Sequence, residues 1–206
     1  MYLPPQFKAS DPALAHALMR EHPFASLVSI DEDGLPFITH LPLHLSADGQ
    51  VLTGHCARPN PHWRHLQARP RARVAFLGPQ AYMSPAVYPD LARVPTWNYL
   101  AVHATVQARL LEGDEAKDAV LKQLIGDHEP AYAAQWRAQD PDWAAKMLQG
   151  IVAFELAIEQ LDCKLKLNQH RPEAHAAMYQ AYRGAASEGA RGLAAWMERL
   201  GLVQGD

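Results

Sequence analysis

Three short stretches place polar side chains at the ends of apolar, strand-like runs: Gly54-His55-Cys56-Ala57-Arg58-Pro59-Asn60-Pro61, Val94-Pro95-Thr96-Trp97-Asn98-Tyr99 and Lys166-Leu167-Asn168-Gln169-His170-Arg171. The planar fork of an arginine matches phosphate oxygens, and the Asn60 amide adds a neutral donor beside it. Trp97 and Tyr99 bring flat apolar faces, with Asn98 as a donor for a polar ring edge. Taken singly, aromatic residues at a strand start are more often core than binding platform. Their polar company points instead to a pocket for a flat, phosphorylated ligand.

Other chemistries find less support. His55, His62 and His65 are spaced by seven and three positions, which matches no common zinc pattern, so no metal site is expected. Cys56 and Cys163 lie far apart without a C-x-x-C pair, which reads as two free thiols. Ser84 sits between Met83 and Pro85 with no G-x-S-x-G elbow, and no G-x-G-x-x-G or phosphate-loop glycine pattern occurs. Any redox reaction would therefore come from a bound cofactor. No catalytic side chain is assigned, although His103 and Tyr82 are candidate proton donors.

The elements that must position these groups follow from periodicity. Ser10-Asp11-Pro12 opens a short amphipathic helix to about Glu21. A strand from Ala25 to Ile30 ends at the hairpin signal Asp31-Glu32-Asp33-Gly34. Strict alternation then puts Leu35, Phe37, Thr39, Leu41, Leu43 and Leu45 on one face and Ile38, His40 and His44 on the other, with a bulge or edge expected at Pro42. Strands are expected over Val51–Cys56 and Ala72–Leu77, the latter closed by Gly78-Pro79, with a helical turn from Pro61 between them. Tyr82 to Pro89 is a proline-punctuated loop. After Pro95 a long strand alternates as far as Leu110, and two helices, Asp114–Ile125 and Asp140–Leu148, follow. The last strand changes parity near Glu159-Gln160, which predicts a bulge or bend. Two helices close the chain, from Pro172 to Arg183 and around Leu193–Leu200.

Many antiparallel strands with tight turns and mostly late helices argue for a mainly β, α+β architecture: an antiparallel split β-barrel with flanking and C-terminal helices. A barrel domain over 1–168, with inserted helices at about 114–148, and a helical extension over 169–206 are expected. The 206 residues suffice for one sizeable core. A net charge of −3 offers no global attraction to nucleic acid or anionic membrane. No apolar run reaches the roughly 18 residues of a membrane span, and the first five residues lack a secretory pattern, so a cytoplasmic protein is expected.

The order of these pieces resembles the PaiB-type family of FMN-binding negative transcriptional regulators. The matching segments are Met1-Tyr2-Leu3-Pro4 with Phe7, the Phe24-to-Ile30 strand, His40-Leu41-Pro42, Gly54-His55 with Ala57-Arg58 and Asn60-Pro61, Gly78-Pro79 with Ala81-Tyr82 and Ser84-Pro85, Val94 to Tyr99 with Val102-His103, and Lys166-Leu167 with Gln169. The resemblance implies the split-barrel flavin-binding fold and a homodimer with FMN at the subunit interface. It implies Arg58 and Asn60 near the phosphate, with His55 on the strand that leads to them and Thr39 and His40 on the neighbouring strand. Ser84, Trp97 and Asn98 would frame the ring, and Lys166 and Gln169 would reach in from the last strand. The family's closing motif reads Lys-Leu-Ser-Gln-Asn-Arg, and here Asn168 and His170 replace its serine and second asparagine.

The implied role is a repressor. The final helix pair is a poor DNA reader, however, because its second helix carries the apolar run Leu193-Ala194-Ala195-Trp196-Met197 and only Arg191 and Arg199 as cations. A flavin-dependent oxidoreductase acting on a small molecule is the alternative. A haem-binding reading follows from the 11 histidines and haem-handling relatives of the fold.

Overall fold

The helices form where local chemistry starts and stops them. In the computed structural model, which describes residues 1–90 and 92–204, α1 (Pro12–Glu21) begins where the Asp11 carboxylate accepts the Ala13 N–H at 2.9 Å. Pro61 precedes α2 (His62–Ala68), while α3 (Asp114–His128) carries Asp114 and Glu115 in its positive first turn. The short α4 (Ala133–Arg137) leads to α5 (Pro141–Gln149), whose N-cap Asp140 accepts the Trp143 N–H at 2.9 Å. A 3-10 turn at Pro172–Ala174 runs into α6 (His175–Arg183), and Ser187 caps α7 (Glu188–Arg199).

The strands are β1 (Phe24–Ile30), β2 (Pro36–Pro42), β3 (His44–Leu45), β4 (Val51–Ala57), β5 (Arg71–Met83), β6 (Thr96–Leu111) and β7 (Ile151–Lys166). They form one antiparallel sheet in the order β2-β1-β5-β6-β7-β4-β3, an α+β fold of the split-barrel type. The β1–β2 hairpin turns at Gly34 (φ 82°), where the Asp31 carboxylate accepts the Asp33 and Leu35 N–H groups at 3.0 and 2.8 Å.

Pro42 marks a change of partner. Up to Pro42 the chain pairs with β1; after Leu43 it pairs with β4, at the opposite edge of the same sheet. The predicted alternation survives this corner, because Leu41, Leu43 and Leu45 are all buried.

Two expectations about strand ends change. β5 does not stop at Gly78-Pro79 but continues to Met83. Its ladder with β1 ends at Ala75, so one side of the strand lacks a strand partner there, the setting in which proline is tolerated. β7 is likewise unbroken, yet its larger buried apolar residues shift from even numbers (Val152, Phe154, Leu156) to odd ones (Cys163, Leu165) across the exposed pair Glu159-Gln160, with Ala153 and Lys164 buried on the other parity.

The chain divides into two compact units. The first comprises Met1–Glu21, Leu77–Val102 and Asp162–Asp206, and includes α1, α6 and α7. The second comprises His22–Phe76 and His103–Leu161, and includes β1 to β4, α2 and α3 to α5. In the first unit, helices press closely on the second half of β5, and glycine is required where an added Cβ would meet backbone. A Cβ on Gly189 would lie 2.5 Å from the Gln80 carbonyl oxygen, and one on Gly78 would lie 2.5 Å from Leu18 Cδ1.

This packing gives a pair of substitutions with opposite signs. Gly189→Ala gains up to about 1 kcal/mol of helix propensity, but it drives a methyl into backbone and should lose about 1–3 kcal/mol net. Gly126→Ala, in α3 with nothing within 4 Å of the added Cβ, should stabilise by roughly 0.5–1 kcal/mol. Urea unfolding of the two variants against the parent checks both signs.

Candidate functional site

Of the ten residues singled out by sequence, Thr39, His40, His55, Arg58 and Asn60 lie in the second unit, and Ser84, Trp97, Asn98, Lys166 and Gln169 lie in the first. Each group has its own geometry.

In the second unit the loop after β4 folds back against β2. The Asn60 side-chain amide donates to Thr39 Oγ1 at 3.2 Å, and Asn60 Oδ1 accepts the His62 N–H at 3.0 Å, an Asx turn across Pro61. His62 Nδ1 lies 2.7 Å from the same Thr39 oxygen. Sequence reasoning weighed His62 only as a metal ligand; the Asn-Pro-His spacing, which supports an Asx turn, was the signal for its real position. Its ring is fully buried, edge-on to Phe37 at a centroid distance of 5.2 Å. Burial, with a smaller contribution from neighbouring His65, pushes its pKa down to about 4, so the imidazole is neutral near pH 7.

Arg58 is held at the same bend. Its backbone N–H donates to Gly150 O at 2.8 Å, and its guanidinium donates to Gln149 O at 2.6 Å and Ile151 O at 3.2 Å. The fork therefore joins the end of α5 to the start of β7, while the side chain stays exposed. His40 projects from the other face of β2, where Nδ1 is 3.0 Å from Ser26 Oγ and the ring stacks near Phe24. His55 is half-buried on β4 opposite Ala153, and burial lowers its pKa.

In the first unit an open cleft of about 400 Å³ is walled by Tyr82, Met83, Ser84, Val87 and Trp97 on one side and by Ala181, Tyr182, Ala185 and Ala190 of the C-terminal helices and the link between them on the other. Tyr82 and Trp97 are each more than half exposed, an unusual state for large aromatic side chains. Ser84 Oγ accepts the Ala86 N–H at 3.2 Å, which fixes the bend at the cleft edge. Lys166 holds the Trp97 segment: its ammonium donates to Thr96 Oγ1 at 2.6 Å and to Trp97 O at 2.7 Å. Burial and the nearby Lys164 charge lower its pKa.

Asn98 shares the inward parity of Leu100 and Val102 and is fully buried, its amide donating to Tyr182 OH at 3.0 Å. Asn168, in the left-handed region at φ 57°, donates to Tyr88 OH at 2.7 Å, and its carbonyl accepts a hydrogen bond from His175 Nε2 at 2.9 Å. Gln169 closes the strand end, accepting the Leu167 N–H at 3.1 Å and donating to Leu165 O. These residues brace the cleft from behind. Tyr182 and Asn168 were not singled out as contacts because their partners are 80 or more residues away.

Burial raises the pKa of both thiols, that of Cys163 to about 12, so neither is a ready nucleophile. Among the described residues no group of three or more His, Cys, Asp or Glu is arranged to hold a metal ion, and no helix is long and apolar enough to cross a membrane.

The cleft has the size and aromatic lining of a site for a flat ring, and Thr39 and Asn60 present neutral hydroxyl and amide groups of the kind that hold phosphate. Both donor sets suit FMN. Fold and site together define a split barrel of the flavin-binding class. Residues 1–160 match the model of the family described as "Putative FMN-binding domain". Over 177 residues the chain is 35% identical to the "Protease synthase and sporulation protein PAI 2" of Bacillus subtilis, covering 84% of each. Its fold is similar to that of a flavocytochrome from Azotobacter vinelandii, with TM-score 0.63, 16% identity, and 79% of this chain and 70% of that one covered. It is also similar to an FAD- and haem-binding protein from Mycobacterium smegmatis, with TM-score 0.59, 20% identity, and 77% and 73% covered. The chain belongs to the FMN-binding domain family.

The neutral, buried His62 makes stability depend on pH. Its folded pKa of about 4 lies below the ordinary 6.5, so the stability it supports is complete above pH 6.5 and is lost as pH falls toward 4. The loss is roughly 3 kcal/mol for one such group. Urea unfolding between pH 7 and pH 4 should show a shallower decline for His62→Gln than for the parent, by about that amount.

Proposed function

We propose that this protein is an FMN-binding regulator of the PaiB type, a homodimer that binds FMN at the subunit interface. The ring lies with Trp97, Tyr82 and Ser84; the phosphate is held by Thr39, Asn60 and Arg58, with His40, His55, Asn98, Lys166 and Gln169 supporting the two groups. The observation that carries this reading is that Ser84 and Trp97, chosen from the sequence for ring contact, line one open aromatic cleft. FMN supplies hydride and electron transfer when bound. This chain's own residues orient the ligand and exclude water from one of its faces.

Repression in this reading does not run through α7 as a recognition helix. Arg191 donates to Ala185 O and Ala186 O at 3.0 and 2.7 Å, and Arg199 pairs with Glu21 at 2.7 Å and stacks on Trp196. The helix buries Leu193, Ala194, Trp196 and Met197. Its two cations are thus engaged by the protein itself, and operator contact would come from another surface or from a partner.

A second reading, a flavin-dependent oxidoreductase, is favoured by the openness of the same cleft, which leaves room beside Trp97 and Tyr82 for a small substrate.

Mass spectrometry of the ligand released from native protein should find FMN, or the protein should take up added FMN with quenching of flavin fluorescence. Absence of both overturns the proposal. Trp97→Ala should weaken FMN binding about tenfold, as expected for losing one aromatic face worth roughly 1 kcal/mol plus its buried area. Anaerobic bleaching by NADH or NADPH would favour the oxidoreductase; no bleaching, with salt-sensitive retardation of its own promoter DNA, would favour the regulator.

A further inference from the structure

Thr39 Oγ1 is the meeting point of two side chains that can both donate to it. Asn60 Nδ2 does so at 3.2 Å, and His62 Nδ1 stands at 2.7 Å. A neutral imidazole carries one proton, on Nδ1 or on Nε2. His62 Nε2 is buried and has no partner among the described residues. A proton on Nε2 would therefore be a buried, unsatisfied N–H, which proteins avoid more strictly than an unused acceptor. A proton on Nδ1 instead donates to Thr39 and leaves only a lone pair on Nε2. Neutrality itself follows from burial, which holds His62 well below its ordinary pKa.

With both acceptor positions of Thr39 Oγ1 filled by Asn60 and His62, the hydroxyl has one function left, to donate. Thr39 gives its proton to no other group among the described residues, and the residue is partly exposed. We propose that His62, as the Nδ1–H tautomer, is a positioning residue that with Asn60 turns the Thr39 hydroxyl outward as an obligate donor to the phosphate of the bound ligand. This rests on the FMN reading for the identity of the ligand, whereas the wiring of Thr39 rests on geometry alone. The arrangement discriminates between flavins. FMN offers phosphate oxygens to accept the proton, and riboflavin, which lacks the phosphate, does not.

The test has two arms. In ligand-free protein, long-range proton–nitrogen correlation spectra of the His62 ring should show Nδ1 protonated; an Nε2–H tautomer would overturn the wiring. In titrations followed by flavin fluorescence, Thr39→Val should weaken FMN binding about tenfold and leave riboflavin binding within about twofold, while Thr39→Ser keeps the parent affinity for both. His62→Leu should show the same loss for FMN alone, and His62→Gln, whose amide can still donate, should recover most of it. Equal losses for FMN and riboflavin in Thr39→Val, or none for FMN, would refute the donor role even if His62→Leu fails to fold. If the parent binds neither flavin, the FMN reading falls, and the tautomer spectrum still decides the wiring.

Discussion

The corner at Pro42 and Leu43 is the constraint on which the second unit depends. One continuous run of alternating residues pairs with β1 at one edge of the sheet and, two residues later, with β4 at the other. That shared run ties β1 and β4 to one corner, and Leu27, Leu41, Leu43, Leu45 and Leu52 are buried. The corner is tight enough to demand Gly54 on β4, where a Cβ would fall 2.6 Å from Leu43 Cδ2 and 3.3 Å from the Pro42 carbonyl oxygen. Proline helps twice, since it donates no ladder hydrogen bond and its fixed φ favours the turn.

The candidate phosphate group is a consequence of that corner. Because β2 returns beside the end of β4, Thr39 lies against the Asn60–His62 turn, although 21 residues separate Thr39 from Asn60. A hydroxyl, an amide and a neutral imidazole form a network with no formal charge, which is inexpensive to bury and suited to receiving an anion whose charge is balanced elsewhere. Arg58, the charged member expected there, has become structural on one side, clasping three consecutive residues, Gln149 to Ile151, with its backbone and guanidinium.

The first unit solves a different problem, how to leave two aromatic side chains exposed without collapse of the wall behind them. Lys166 clamps the backbone at Trp97, and the buried amides of Asn98 and Asn168 hold Tyr182 and Tyr88. The amides of Asn98 and Asn168 are buried, so their bonds are costly to break without replacement and favour one arrangement of the wall. The C-terminal helices supply small residues opposite Trp97, and their glycines let α7 lie directly on β5. Residues beyond the family match at 160 therefore complete the cleft.

Much of this was legible in the sequence. The helix starts at Asp11 and Asp140, the Asp31–Gly34 turn, the alternation through Leu41 to Leu45 and the parity switch at Glu159-Gln160 were all readable, because each follows from local chemistry or a period of two. The sequence also determined family and fold, and it singled out Ser84 and Trp97, which share a cleft. Only the tertiary structure decided that β5 runs through Gly78-Pro79, since that depends on where its ladder with β1 ends. It alone decided that Asn98 faces inward to Tyr182, that Arg58 gives one side of its fork to carbonyls of its own unit, and that His62 belongs with Thr39. Those outcomes rest on which polar groups meet across 23 to 93 residues of chain. No local pattern records such meetings, because the desolvation that makes them matter exists only once the core has closed.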